Sequence, residues 1–235
     1  SQIELLIARK LEYREYSGKR RLFCLPPVAK SAGLRSVRVM ADRRHLGYVF
    51  ERFPTFTQTF CVREVLELQR QGIRPLIFSL RDTSDEPTQS YPAELRDEVI
   101  TLPPSDELTE TVRQWRADKQ IPKAVDYALR FWVDQPDKKR VYEAAWIGQK
   151  IRELAPEITH CHGHFAGMAA RTMWWMRAFH DFSYSFTAHA NDVFCADTDT
   201  PVSLDMLMRD ASLIVTVSDY TVSRLSRQFP SDRGK

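Results

Sequence analysis

Long apolar runs are missing from this sequence of 235 residues, although hydrophobic residues make up 43% of it. No stretch reaches the roughly 20 consecutive apolar residues that a transmembrane helix needs. No basic-plus-apolar leader with a small-residue cleavage site opens the chain. Together these absences predict a cytoplasmic protein. The charged share of 28% is ordinary for a globular chain.

Cysteines are few and scattered: the sequence has four, Cys24, Cys61, Cys161 and Cys195, and no two of them form a C-x-x-C pair. A chain of this length can bury a sufficient core without disulfide bonds. We therefore predict reduced thiols that are buried or half-buried.

Positive charge is concentrated at the start of the chain, where residues 1–44 carry eleven Lys and Arg against four Asp and Glu. Residues 2–15 have apolar side chains at helical spacing, which predicts a short amphipathic helix. Such a basic extension can attract phosphates, nucleic acid or an anionic membrane surface. A solvated tail is the alternative interpretation.

Short apolar runs alternate with helical patterns from His45 onward. This alternation predicts an α/β domain over residues 45–235, with a doubly wound, Rossmann-like parallel sheet covered on both faces. The predicted strands are 46–50, 75–80, 99–102, 158–162, 183–188 and 213–218. The predicted helices are 58–71, a helical region 106–155 that is clearest over 138–154, then 166–180, a short helix with a polar loop within 190–210, and 219–228.

Ligands of such sheets bind outside the carboxyl ends of the strands. The loop after the first predicted strand has no glycine, which argues against an NAD or FAD site. It offers Thr57, Gln58 and Thr59 at the start of a helix, where anions or sugar hydroxyls are favoured. Simple helix capping by Thr57 or Thr59 is the alternative.

Three histidines, His160, His162 and His164, close the fourth predicted strand and share one of its faces. A metal site is geometrically feasible, but no acid stands near them in sequence. We predict that they line a polar site without a metal, with a structural role as the alternative.

The fifth predicted strand ends in Thr187 and is followed by His189, Asn191 and Asp192. A histidine followed by Asn-Asp can orient a hydroxyl or a phosphate, and the acid can fix the tautomer of the ring. An Asx-type turn with a capping Asp is the alternative. The Trp174–Trp175 pair lies on an apolar helix and is expected in the core.

Four stretches together resemble one family. They are YVFERFPTFTQTFCVREVLELQRQGIRPLIFSLR, ITHCHGHFAGMAARTMWWM, YSFTAHANDVF and ASLIVTVSDYTVSRL. In order and spacing they look like the N-terminal domain of the large family of retaining glycosyltransferases once called group 1, of family 4 type. The resemblance covers residues 46–225 and leaves residues 1–44 outside it.

The resemblance implies that the fold is one Rossmann-like half of a GT-B architecture. It also implies a hexosyltransferase that builds polysaccharides or glycolipids. Such enzymes transfer sugar from a nucleotide diphosphate sugar to a glycan or lipid-linked acceptor, usually without a metal or other cofactor. It implies His189 as the catalytic histidine facing the sugar. The implied lining of the acceptor cleft is Thr57, Gln58, Thr59, His162, His164, Thr187, Asn191, Asp192 and Ser218. Gln58 departs from the pattern, because many members have Glu there.

The resemblance also implies a C-terminal donor domain, which we expect to be absent from these 235 residues. Without it we expect no useful turnover, because the leaving diphosphate needs preorganised positive groups. The basic extension fits a peripheral membrane enzyme better than a nucleic-acid binder, since many acceptors are lipid-linked. Two other interpretations stay open: a non-catalytic binding or regulatory protein, and a small metal-dependent hydrolase using the histidines of residues 160–164.

Overall fold

A computed structural model of the chain describes residues 46–87, 91–131, 137–194 and 200–229. The predicted amphipathic helix and basic extension lie outside these ranges. The strands are β1 (Gly47–Arg52), β2 (Leu76–Arg81), β3 (Val99–Thr101), β4 (His160–His164), β5 (Ser183–Ala188) and β6 (Leu213–Thr216). The helices are α1 (Thr59–Arg70), α2 (Glu94–Asp97), α3 (Ser105–Ala117), α4 (Lys123–Phe131), α5 (Lys138–Leu154), α6 (Met168–His180), α7 (Ala190–Phe194), α8 (Leu204–Asp210) and α9 (Asp219–Gln228).

All six strands run parallel in one sheet of order β3-β2-β1-β4-β5-β6. The predicted doubly wound, Rossmann-like α/β class is thereby confirmed. The strand order reverses direction between β1 and β4, and the crevice at such a reversal is where parallel sheets bind ligands.

Hydrophobic side chains on the two faces of the sheet form two core clusters. On one face Tyr48 and Ile77 pack with α1 and α2. On the other face Val49 and Phe78 pack with α3 to α6. Strands buried on both faces read as continuous apolar runs, which is why β1 and β2 were recognisable from the sequence.

Helix ends follow local chemistry. Gly72 has φ of +80°, the left-handed conformation in which a glycine ends a helix. Ser218 caps α9 by accepting a hydrogen bond from the backbone of Thr221. The predicted cap by Thr57 is wrong: a 3-10 turn, Phe56–Gln58, precedes α1, and neither that turn nor α1 has a side-chain cap.

The fourth strand lies two residues later than predicted, at His160–His164 rather than 158–162. A turn in which the backbone N–H of Ile158 donates to the carbonyl of Ala155 ends the preceding connection. The histidines are therefore inside the strand and buried, rather than beyond its end. Polar strands of this kind lack the apolar run that marks a buried strand.

The expected burial of the cysteine thiols and of a tryptophan is confirmed within the described residues. Cys61 and Cys161 are buried free thiols. Trp175 is buried beside Trp174, with the two rings 4.9 Å apart. Across the described ranges, the helices are too short or too polar to span a bilayer.

Candidate active site

The carboxyl ends of β1, β4 and β5 bring together the polar residues singled out in the sequence. The loop after β1 begins with a cis Phe53–Pro54 bond, and the Phe53 ring stacks on Phe50 at 4.3 Å. Phe53 donates its backbone N–H to Oγ of Ser79, 3.0 Å away, which ties this loop to β2. The loop thus has a fixed base beneath its exposed tip.

Histidines of β4 alternate with hydroxyls of β5 in a buried polar ladder. His160 contacts Oγ of both Ser183 and Ser185, each at 2.8 Å. His162 contacts Oγ of Ser185 at 2.7 Å and Oγ1 of Thr187 at 3.1 Å. Burial lowers the pKa of His162 to about 3, so its ring is neutral. Both nitrogens of His162 are satisfied within the sheet, which gives this residue the structural role.

His164 is the next histidine along β4, and its contacts are with Glu64 and His189 instead of hydroxyls of β5. Its Nε2 lies 3.3 Å from Oε2 of Glu64 on α1, at ion-pair distance but off the direction of a hydrogen bond. Tyr48 donates its hydroxyl to Oε1 of the same carboxylate. Burial acts to raise the pKa of Glu64, but His164, His162 and Tyr48 together lower it to about 2. Glu64 is therefore ionised behind His164.

His189, directly after β5, faces His164, with Nε2 of His189 3.2 Å from Nδ1 of His164. Its half-buried ring packs against Phe165 at 4.3 Å and Phe60 at 5.0 Å. Burial, reinforced by His164, lowers the pKa of His189 to about 4. The ring is neutral at pH 7, and its Nδ1 makes no hydrogen bond to any residue in the described ranges.

The 3.2 Å contact between the two imidazole rings requires one ring nitrogen to donate its proton to the other. Ionised Glu64 favours a proton on Nε2 of His164. When His164 carries that single proton, its Nδ1 accepts from Nε2–H of His189. The Nδ1 of His189 is then a lone pair that can accept a proton from a ligand hydroxyl.

Asp192 does not contact the His189 ring. Its Oδ2 accepts the backbone N–H of His189 at 2.8 Å, which is the capping alternative considered for this stretch. Asn191 is exposed beside it. The predicted orientation of the His189 ring by Asp192 is thus replaced by orientation through His164.

The loop after β1 places Thr57, Gln58 and Thr59 at the start of α1. Thr57 is exposed, and its hydroxyl lies 3.5 Å from that of Thr55. Gln58 and Thr59 are half-buried. The hydroxyls and the amide therefore follow the carboxyl end of β1 and directly precede Phe60, whose ring lies 5.0 Å from that of His189.

Ser218 lies after β6, at the far side of the same sheet edge, and its hydroxyl is used in capping α9. Tyr220 and Val217 are exposed beside it, at 58% and 56%. Ser218 thus holds the start of a helix with an exposed apolar rim, and does not contact His189.

Glu64, His162 and His164 could offer ligands to a metal, since their ligand atoms lie within 4.8 Å of one another. The two nitrogens of His162 are already engaged with Ser185 and Thr187. Zinc binds neutral or deprotonated ligands at about 2.0–2.2 Å, so it would have to displace one of these hydroxyls. The residues fit a hydrogen-bonded site better than a metal centre.

Glu64 was missed by the sequence reasoning, although a signal for it exists. It lies three residues after Cys61 and four before Leu68, both of which are buried on α1. A carboxylate on the apolar stripe of a helix is unusual and needs a partner. Tyr48 and Phe165 had no comparable signal, because their roles depend on strand pairing.

Neither the protein-family models nor the curated proteins yield a match to this chain.

Proposed function

We propose that this chain is the acceptor-binding domain of a retaining glycosyltransferase, which transfers a sugar from a nucleotide diphosphate sugar to a glycan or lipid-linked acceptor. The observation that carries the proposal is the neutral, half-buried ring of His189, which follows β5 and contacts His164 at the end of β4, next to the strand-order reversal. Its Nδ1 makes no hydrogen bond to the described residues. A neutral imidazole at this position can accept a hydrogen bond from a sugar hydroxyl.

The loop after β1 supports the same proposal. Thr57 and Gln58 offer hydroxyl and amide groups, and Phe56 and Phe60 are 52% and 41% exposed beside them. Ligand sites commonly join apolar surface to a few polar groups that fix orientation. Sugar rings present both kinds of surface.

In the proposed reaction the residues of this domain position the sugar. Nδ1 of His189 holds a sugar hydroxyl, while His164 and Glu64 fix the ring and its tautomer. The positive groups that stabilise the leaving diphosphate would come from a second domain. The 235 residues alone should therefore bind acceptor and release no product.

The test is a transfer assay on the product of the full reading frame that contains these residues, using a panel of nucleotide diphosphate sugars. His189→Ala should abolish transfer, and Arg74→Ala, at an exposed site before β2, should leave it unchanged. Unaltered transfer in His189→Ala would reject the proposed role. Acceptor binding without turnover of any donor would instead favour a binding protein.

A further inference from the structure

Phe165, the residue directly after β4, has a backbone conformation that bulky side chains rarely adopt. Its φ is +68°, in the left-handed region, where a residue with a large side chain is an outlier. Lys119 and Asp181 also have positive φ within the described ranges, but they follow α3 and α6, where a left-handed residue commonly ends a helix. Phe165 ends no helix, so its conformation needs another explanation.

Two backbone hydrogen bonds hold Phe165 in this conformation. Its own N–H donates to the carbonyl of Thr187, 2.9 Å away. The next N–H, that of Ala166, donates to the carboxylate of Asp192, which also accepts the N–H of His189 at 2.8 Å. Asp192 thus ties the end of β4 to the end of β5. A disfavoured backbone conformation persists where its surroundings fix it, and such positions are concentrated at functional sites.

The ring of Phe165 packs against the ring of His189. Their centroids are 4.3 Å apart, closer than the 5.0 Å between Phe60 and His189 or the 5.5 Å between His164 and His189. The two phenyl rings are 6.3 Å from each other, too close to lie on opposite faces of the imidazole, so they cover adjacent sides of it. Together they exclude water from part of the His189 ring.

This apolar cover matters more for the neutral state of His189 than its titratable neighbours do. His164 lies beside the ring from β4, Glu64 of α1 lies behind His164, and Asp192 is engaged with backbone N–H groups. Burial is the largest cause of the lowered pKa of His189, about 4; His164 lowers it further, whereas Glu64 acts to raise it. Phe165 supplies the closest part of the burying surface.

We infer that Phe165 is a positioning residue: its left-handed turn presses the phenyl ring against His189, which keeps the imidazole oriented and shielded from water so that Nδ1 can accept a ligand hydroxyl. A protonated imidazole has two N–H donors and no acceptor. Shielding therefore extends the range of pH over which the site can hold a hydroxyl. The use of this shielding in sugar transfer rests on the proposed function; the shielding itself does not.

The test is an NMR titration of the His189 ring in the chain of 235 residues. Phe165→Ala removes the phenyl ring and keeps a disfavoured backbone, whereas Phe165→Gly removes the ring and tolerates positive φ. In both variants we expect the pKa of His189 to rise from about 4 toward the ordinary value of about 6.5, because water then reaches the imidazole. Phe56→Ala, which removes a 52% exposed ring from the loop before α1, is the control and should leave this pKa unchanged.

Urea unfolding of the same variants tests the backbone conformation. Phe165→Gly should unfold at a higher urea concentration than Phe165→Ala, because glycine adopts positive φ without strain. An equal or reversed order of the two midpoints would overturn the inference. So would an unchanged pKa of His189 in both variants, or an equal rise in Phe56→Ala.

The full reading frame gives a further readout of the positioning role. In Phe165→Ala the acid limb of the turnover number against pH should move to higher pH together with the pKa of His189. An acid limb that stays in place while this pKa rises would overturn the role in transfer. Because the NMR and urea measurements involve no transfer, their results are independent of the transfer assay on His189.

Discussion

The ring of His189 is oriented by His164 and not by Asp192, the acid three residues later in the same loop. The chain of contacts runs from Tyr48 through Glu64 and His164 to His189. The buried carboxylate is thus a positioning group for a ring that it does not touch. Removing its charge should change the ring's tautomer before it changes the fold.

We expect Glu64→Gln to lower the turnover number of the full enzyme about tenfold or less, because loss of the charge beside His164 weakens the preference for one tautomer by on the order of 1 kcal/mol. The nitrogen chemical shifts of the His189 ring should move toward the other tautomer in the same variant. Glu67→Gln, the same change one turn further on α1 beside Arg70, is the control. A loss of turnover with unaltered ring shifts would contradict the positioning role.

The metal content of the protein also depends on the contacts of single residues. We expect purified protein to contain well below stoichiometric zinc, because both nitrogens of His162 are bonded to hydroxyls of β5. Elemental analysis by mass spectrometry, before and after chelator treatment, measures this. Stoichiometric zinc that disappears in His164→Ala would favour the metal-dependent hydrolase over the proposed transferase.

At the scale of elements, the sequence predicts the α/β alternation well wherever apolar patterns are uninterrupted. Helix Lys138–Leu154, strand Ser183–Ala188 and helix Asp219–Gln228 have the predicted bounds. The described residues of the predicted helical region 106–155 contain three helices, and β4 lies two residues later than predicted. The β4 error has a physical cause: alternate positions of that strand carry histidines, whose burial is made favourable by hydroxyls of β5 that no local pattern reveals.

The contact between α5 and α6 depends on a glycine. A Cβ added at Gly148 would lie 2.7 Å from Cγ of His180 and closer still to other atoms of that ring. Gly148→Ala gains about 1 kcal/mol of helix propensity, but overpacking costs about 1–3 kcal/mol. We expect overlap with a buried ring to outweigh the gain, giving a lower urea midpoint.

His180→Ala supplies the control for this contact, because it removes the ring that the new methyl group meets. In the double variant the two effects should be strongly non-additive, with little further loss on adding Gly148→Ala. An unchanged urea midpoint in Gly148→Ala alone would show that the helices move apart at no cost.

For the molecule as a whole, the site could be predicted only in part. The sequence placed His164, Thr187 and His189 at one sheet edge, because parallel strands end together. It could not assign their partners: Glu64, which lies 3.3 Å from His164, comes from α1, the helix that follows β1, and β1 is the neighbour of β4 in the sheet. Such contacts are set by the order of strands in the sheet, which local patterns do not encode.

Acid sensitivity is a property of the whole fold that follows from the neutral buried histidines. Unfolded histidines bind a proton near pH 6.5, whereas burial lowers the pKa of His162 to about 3 and that of His189 to about 4. Between these values the unfolded chain holds more protons, so the free energy of unfolding falls as the pH falls, by up to about 1.4 kcal/mol per pH unit for each linked proton. Glu64, whose pKa is lowered to about 2, adds a further loss below about pH 4.5.

Urea unfolding at pH 7, 6 and 5 measures this dependence. His162→Asn can still bond to Ser185 and Thr187 but binds no proton, so we expect its stability to fall less steeply across this range. The variant should be less stable than the unaltered chain at pH 7, because an amide fills the histidine's space incompletely. Its disadvantage should then shrink as the pH is lowered. If stability falls equally steeply with pH in the two proteins, His162 is not the cause of the loss of stability in acid.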